Sequence, residues 1–108
     1  MEFSLIIRTR PQDAERWRRA QLFAQTAGQM GHSIRQCFFQ SEGVLTATLP
    51  EAYEGWCRVA EETGAELLLC SQAVESFAIT ASTAPFVIGG LGALVEAGVK
   101  ADRVISFV

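Results

Sequence analysis

Residues 66–70, Glu-Leu-Leu-Leu-Cys, place four apolar side chains on consecutive positions. Neighbouring residues of a strand face opposite sides of a sheet, so this run offers water no polar face. It reads as a strand covered on both sides, the condition of a parallel sheet between helical layers. The rest of the chain fits that frame. Residues 3–8, Phe-Ser-Leu-Ile-Ile-Arg, read as another short buried strand closed by Thr9-Arg10-Pro11. Asp13 is a candidate N-cap for a helix reaching Met30, with an apolar stripe of Ala20, Phe23, Ala24, Ala27 and Met30 and a stop at Gly31. Residues 33–40 read as a strand, and Glu42-Gly43 opens a loop to Pro50. Residues 51–63 form a second helix with Ala52, Trp56, Val59 and Ala60 on one face and Gly64 after it. A short helix over residues 71–77, a strand over 86–89, a helix over 91–100 and a strand over 103–107 complete the chain. Such alternation with short connections predicts an α/β fold: a parallel sheet with helices on both faces.

A length of 108 residues suits one domain, residues 1–108. An apolar content of 49% excludes disorder. Charged residues are 19%, below the usual share of about a quarter, which points to surface covered by partner subunits. A net charge of −3 argues against direct nucleic-acid binding by the whole domain. The apolar N-terminal run from Phe3 to Ile7 is too short for a signal peptide and meets Arg8 and Arg10. Residues 76–95 carry no charge, but they hold polar, proline and glycine residues and have acidic flanks. No membrane span is expected there, and an interface is. Cys37, Cys57 and Cys70 form no CxxC motif, and His32 is the only histidine, so neither a metal site nor a cofactor is expected. Free thiols of this kind belong to a reducing cytoplasm.

In open parallel sheets, chemistry gathers outside the carboxyl ends of the strands. Cys70 ends the third predicted strand and is the one cysteine on that edge; Cys37 falls within a strand and Cys57 within a helix. The amides of Ser71, Gln72 and Ala73 would point back at the sulfur and favour a thiolate. A thiolate is the nucleophile of sulfur transfer. The plain alternative is a small buried side chain ending a strand. Arg8 and Arg10 share the edge with Cys70 and could steer an acidic partner or an RNA-bound carrier. Arg16, Arg18 and Arg19 read as a solvated helix face, and Trp17 as partly exposed. His32 falls at the opposite pole, which argues against a Cys–His pair, and it reads as a solvated loop residue. Gly89-Gly90-Leu91-Gly92 lacks the spacing of a phosphate loop and reads as a strand-to-helix turn. Glu61 and Glu62 read as helix surface.

Several segments carry a resemblance: Phe3-Ser-Leu-Ile-Ile, Gly31-His32, Phe38-Phe39-Gln40-Ser41-Glu42-Gly43-Val44, Leu67-Leu68-Leu69-Cys70, the run from Gly90 to Ala97 and the run from Ala101 to Phe107. In this order and spacing the chain resembles the TusD/DsrE sulfurtransferase subunits over nearly its whole length. The resemblance implies a three-layer α/β/α fold with a five-stranded, mostly parallel sheet. It also implies a persulfide relay with Cys70 as the sulfur-carrying residue. The implied partners are TusB- and TusC-like subunits in an oligomer, a TusA-like donor and a TusE-like acceptor. The implied outcome is 2-thiolation of the tRNA wobble uridine, or sulfur oxidation as in DsrE-type relatives. Compared with that family, the stretches at 42–50 and 80–85 are short, and Ala78-Ile79 stands where members often have Gly-Val. A second reading follows from those trims: a structural subunit that keeps the fold without transfer. A nucleotide or small-ligand module is the third.

Overall fold

A computed structural model describes residues 1–80 and 84–108. Its strands are β1 (Glu2–Ile7), β2 (Ser33–Phe39), β3 (Glu66–Cys70), β4 (Phe86–Gly89) and β5 (Arg103–Phe107). The helices are α1 (Ala14–Gln29), α2 (Pro50–Thr63), α3 (Ser71–Ser76) and α4 (Leu91–Lys100). The five strands form one sheet in the order β4-β3-β2-β1-β5, and every adjacent pair is parallel. The expected α/β sandwich is therefore present, with no antiparallel pairing in this sheet.

The strand order dictates the layers. From β1 to β2 to β3 the chain moves one way across the sheet, whereas β4 to β5 carries it back past three strands. Right-handed crossovers then place α1 and α2 on one face and α4 on the other. Side chains agree. Phe39 of β2 meets Trp56 of α2 edge to face at 5.1 Å between ring centres. On the opposite face, Ser4 of β1 donates its hydroxyl to the carbonyl of Ala97 in α4 at 3.2 Å. Leu5, Ile7, Cys37, Phe39, Leu67 and Leu69 are fully buried against Ala20, Ala24, Trp56 and Val59. This is the principal core.

Local signals account for most element ends. Gly64 closes α2 at φ 74, and Pro50 opens it at a position where a missing N–H costs nothing. Asp13 does precede α1, but its side chain makes no capping bond. Met30 leaves the predicted stripe and is 71% exposed. Trp17, expected to be partly exposed, is buried because its indole N–H donates to the carbonyl of Pro11 at 3.0 Å. The predicted loop before Pro50 is a 3₁₀ segment, Ser41–Thr48, which buries Val44 and Thr46. Its start is clamped to the sheet: Gln40 N–H donates to the Ile7 carbonyl at 2.9 Å. A Cβ on Gly43 would stand 2.1 Å from that same carbonyl oxygen, so only glycine lets the segment lie so close. The trimmed stretch noted at 80–85 falls partly on residues 81–83, outside the described residues.

The face of α4 turned from the sheet is apolar. Leu91, Val95 and Val99 recur four residues apart and are 46%, 63% and 80% exposed. Val87 and Ile88 on β4 and Val104 on β5 are exposed as well.

Candidate functional site

Parallel register brings the site together. Ile7 pairs with Phe39, and Phe39 with Leu69, so one step further Arg8, Gln40 and Cys70 form the next row at the carboxyl edge. Gly89 pairs with Cys70 and extends the row into β4. Rows alternate faces. Because the Ile7–Phe39–Leu69 row faces α1 and α2, the row of Cys70 faces the α4 side.

There the described residues enclose an open cleft of roughly 500 Å³, with Cys70 in its wall. The strand ends contribute Arg8, Gln40 and Ser41, and α3 contributes Gln72, Ala73 and Ser76. Phe77 and Leu91, at the end of α3 and the start of α4, add apolar surface. Cys70 itself is only 5% exposed. It therefore keeps the predicted edge but not the predicted exposure, since the walls from α3 and α4 cover it. Cys70 occupies the N-cap position of α3, yet its side chain makes no capping hydrogen bond. The expected contact with the first amides of that helix is not formed. Strand alternation, rather than the six-residue helix, sets where the sulfur points.

The other thiols are placed as expected. Cys37 lies fully buried within β2, and burial pushes its thiol far above the ordinary range. Cys57 is half-buried on α2. His32 sits at the amino end of the sheet, its Nδ1 3.3 Å from the amino group of Met1 and its ring against Phe3. No Cys–His pair arises. Glu61 and Glu62 are exposed on α2. Gly90 is the N-cap of α4, so the glycine cluster serves as a strand-to-helix turn. No group of three or more His, Cys, Asp or Glu side chains suited to a metal occurs among the described residues. No helix of the described residues is long and apolar enough to cross a membrane.

Arg10 pairs with Glu42 at 3.1 Å, Arg18 with Glu51 at 3.3 Å, and Arg19 with Glu15 at 2.6 Å, all on the surface. The Arg8 guanidinium has no ion pair or hydrogen bond among the described residues, and Arg8 lines the Cys70 cleft. A second hollow of roughly 330 Å³ adjoins it, sharing Arg8 and Ser41 and adding Arg10, Asp13, Arg16, Glu42 and Val108. Ser41, on the wall between the two, has φ 52, a left-handed backbone that is rare for a non-glycine residue. Cys70 and Arg8 were legible in the sequence as strand ends. Gln40, Ser41, Gln72, Ser76, Phe77 and Leu91 were not singled out, and knowing the strand register would have found the first of them.

Comparison with known proteins places this geometry in context. Residues 1–107 match the model of the DsrE/DsrF-like family. The chain is 34% identical to Sulfurtransferase TusD of Serratia proteamaculans over 106 positions, covering 79% of this chain and 82% of that one. It is 30% identical to Sulfurtransferase TusD of Klebsiella pneumoniae, covering 99% of this chain and all of the relative. The Putative sulfurtransferase DsrE of Allochromatium vinosum is also 30% identical, with 99% and 98% covered. The Klebsiella alignment runs over 128 positions against a chain of 108 residues, so that relative carries extra segments. Among solved structures, the YchN protein from E. coli superimposes with a TM-score of 0.78 at 16% identity, covering 99% of this chain and 100% of that chain. A conserved protein of unknown function from Bacteroides thetaiotaomicron gives 0.79 at 13% identity, covering 98% and 94%. These two likenesses concern the fold.

Proposed function

Because the chain belongs to the DsrE/DsrF-like family, we propose that it is a sulfur-relay protein carrying sulfur as a persulfide on Cys70. The observation that carries this reading is that Cys70, alone of the three cysteines, lines a cleft at the carboxyl edge of the sheet. The relatives named as sulfurtransferases support the reaction class.

The chemistry needs little machinery. The Cys70 thiolate attacks the outer sulfur of a donor persulfide, R–S–SH. A Cys70 Sγ–S bond forms, the donor S–S bond breaks, and the donor leaves as R–S⁻ with the electron pair. The proton remains on the transferred sulfur or exchanges with solvent. No net oxidation occurs, and neither metal nor cofactor enters the step. An acceptor thiolate then repeats the attack on Cys70–S–SH and restores the starting thiolate. The cleft's role is to limit water around the persulfide while admitting a partner's cysteine.

In this reading residues 1–108 act as one domain in the cytoplasm, beside TusB- and TusC-like subunits. The exposed apolar stripe of α4 supports such an assembly. Sulfur arrives from a TusA-like donor and leaves to a TusE-like acceptor, toward 2-thiolation of the tRNA wobble uridine. The DsrE-named relative keeps sulfur oxidation as the other destination.

A second reading, a subunit that has kept the fold without transfer, is favoured by the 5% exposure of Cys70. Mass spectrometry after incubation with a persulfide donor separates the two. Carriage predicts one added sulfur on the Cys70 peptide, lost in Cys70→Ser and unaffected by Cys57→Ser. Sulfur on no cysteine, or equally on Cys57, would reject it. Plain alkylation discriminates less well, because Cys57 is more accessible than Cys70.

A further inference from the structure

We infer that Arg8 makes the Cys70 cleft selective for anionic sulfur reactants, persulfide anions above all; this rests on the relay reading of the same cleft. Arg8 and Cys70 directly follow Ile7 and Leu69, which both register with Phe39, so Gln40, the residue after β2, stands between them at the carboxyl edge. Strands two apart are about 10 Å apart, a span that an extended arginine side chain largely covers. Both residues line the same cleft, and among its described residues Arg8 is the sole charged one. The remaining polar groups, Gln40, Ser41, Gln72 and Ser76, are neutral.

The other edge arginine is already engaged: Arg10 is held by Glu42 at 3.1 Å. Asp13 and Glu42 line the adjoining hollow together with Arg8, Arg10 and Arg16, and neither carboxylate is paired with Arg8. The backbone of Arg8 is tied to β5, since its N–H donates to the Phe107 carbonyl at 2.8 Å. Each step of transfer keeps one negative charge in the cleft, first on the attacking thiolate and then on the departing thiolate or the new persulfide. A cleft-lining guanidinium without an ion pair favours reactants that bring negative charge and disfavours cationic ones. Arg8 is thus a positioning residue, acting on the approach of the reactant.

The test compares two alkylating probes of like size, anionic iodoacetate and neutral iodoacetamide, on the full chain, reading each cysteine by peptide mass spectrometry. Taking the iodoacetate-to-iodoacetamide rate ratio cancels any change in the reactivity of the thiol itself, and Cys57 is the internal reference. Arg8→Gln should lower the ratio at Cys70 about three-fold, the scale of one partly exposed charge pair. Arg8→Lys should retain it, and raised salt should shrink the difference. With glutathione persulfide as donor, Arg8→Gln should raise the concentration for half-maximal loading by a similar factor and leave the maximal rate nearly unchanged. A ratio unchanged in Arg8→Gln overturns the inference even if wild-type Cys70 loads with sulfur. A ratio that falls while wild-type Cys70 takes up no sulfur rejects the relay and with it the persulfide assignment, leaving only an anion-selective cleft.

Discussion

At the residue scale, a thiol's chemistry here depends on which side of a strand it occupies. Cys37 and Cys70 both belong to the buried core of inner strands, yet only Cys70 also lines the cleft. Alternation along the strand makes that difference. Ala78 shows a second single-residue effect. It ends α3 at φ 52, where Ile79 N–H donates to the Val74 carbonyl at 3.0 Å and Ala78 N–H to the Glu75 carbonyl at 3.1 Å. That bonding pattern calls for a left-handed residue, for which glycine is suited. It is also the position where family members often carry Gly, as the Gly-Val pair at Ala78-Ile79 suggested. Ala78→Gly should therefore stabilise the protein by about 0.5–1 kcal/mol, measured by urea denaturation. A loss of stability there would show that the helix end gains more from the alanine side chain than the backbone loses.

At the element scale, the 3₁₀ segment Ser41–Thr48 matters more than its length suggests. Through Gln40 and Gly43 it locks the end of β2 to the end of β1, and so holds Arg8, Gln40 and Ser41 as one wall of the cleft. Gly43→Ala should cost about 3 kcal/mol, because the clashing atom is a backbone carbonyl oxygen that cannot swing aside. Thermal denaturation measures it; a shift within a degree or two would mean the segment can move without disturbing the sheet. The segment was read as a loop because its three-residue repeat leaves no 3.6- or 2-residue apolar period. The five strands and four helices were legible for the opposite reason. Their apolar runs and stripes are strong, and Gly31, Gly64 and Pro50 mark their ends. Met30 and Trp17 broke the helical pattern through tertiary circumstances: Met30 lies past the last turn of α1, and the Trp17 indole found a carbonyl outside its helix.

At the scale of the whole molecule, the return crossover from β4 to β5 leaves α4 as the main cover of one sheet face, with Leu91, Val95 and Val99 turned outward. A stripe so exposed contributes little to the stability of the isolated chain. Val95→Asp with Val99→Asp should accordingly leave the melting temperature of the chain almost unchanged while lowering the assembly mass measured by light scattering, alone or with partner subunits. An unchanged mass would remove α4 from the assembly surface. The sequence by itself determined the alternation of strands and helices, the parallel sheet and the position of Cys70 at a strand end, because these rest on local periodicity and on chain-order rules. Only the tertiary structure decided that Arg8, Gln40 and Cys70 share one row, that Cys70 is recessed beneath α3 and α4, and that Arg8 stands without a carboxylate partner there. Those properties come from register and from which distant side chains meet, and no local pattern encodes either.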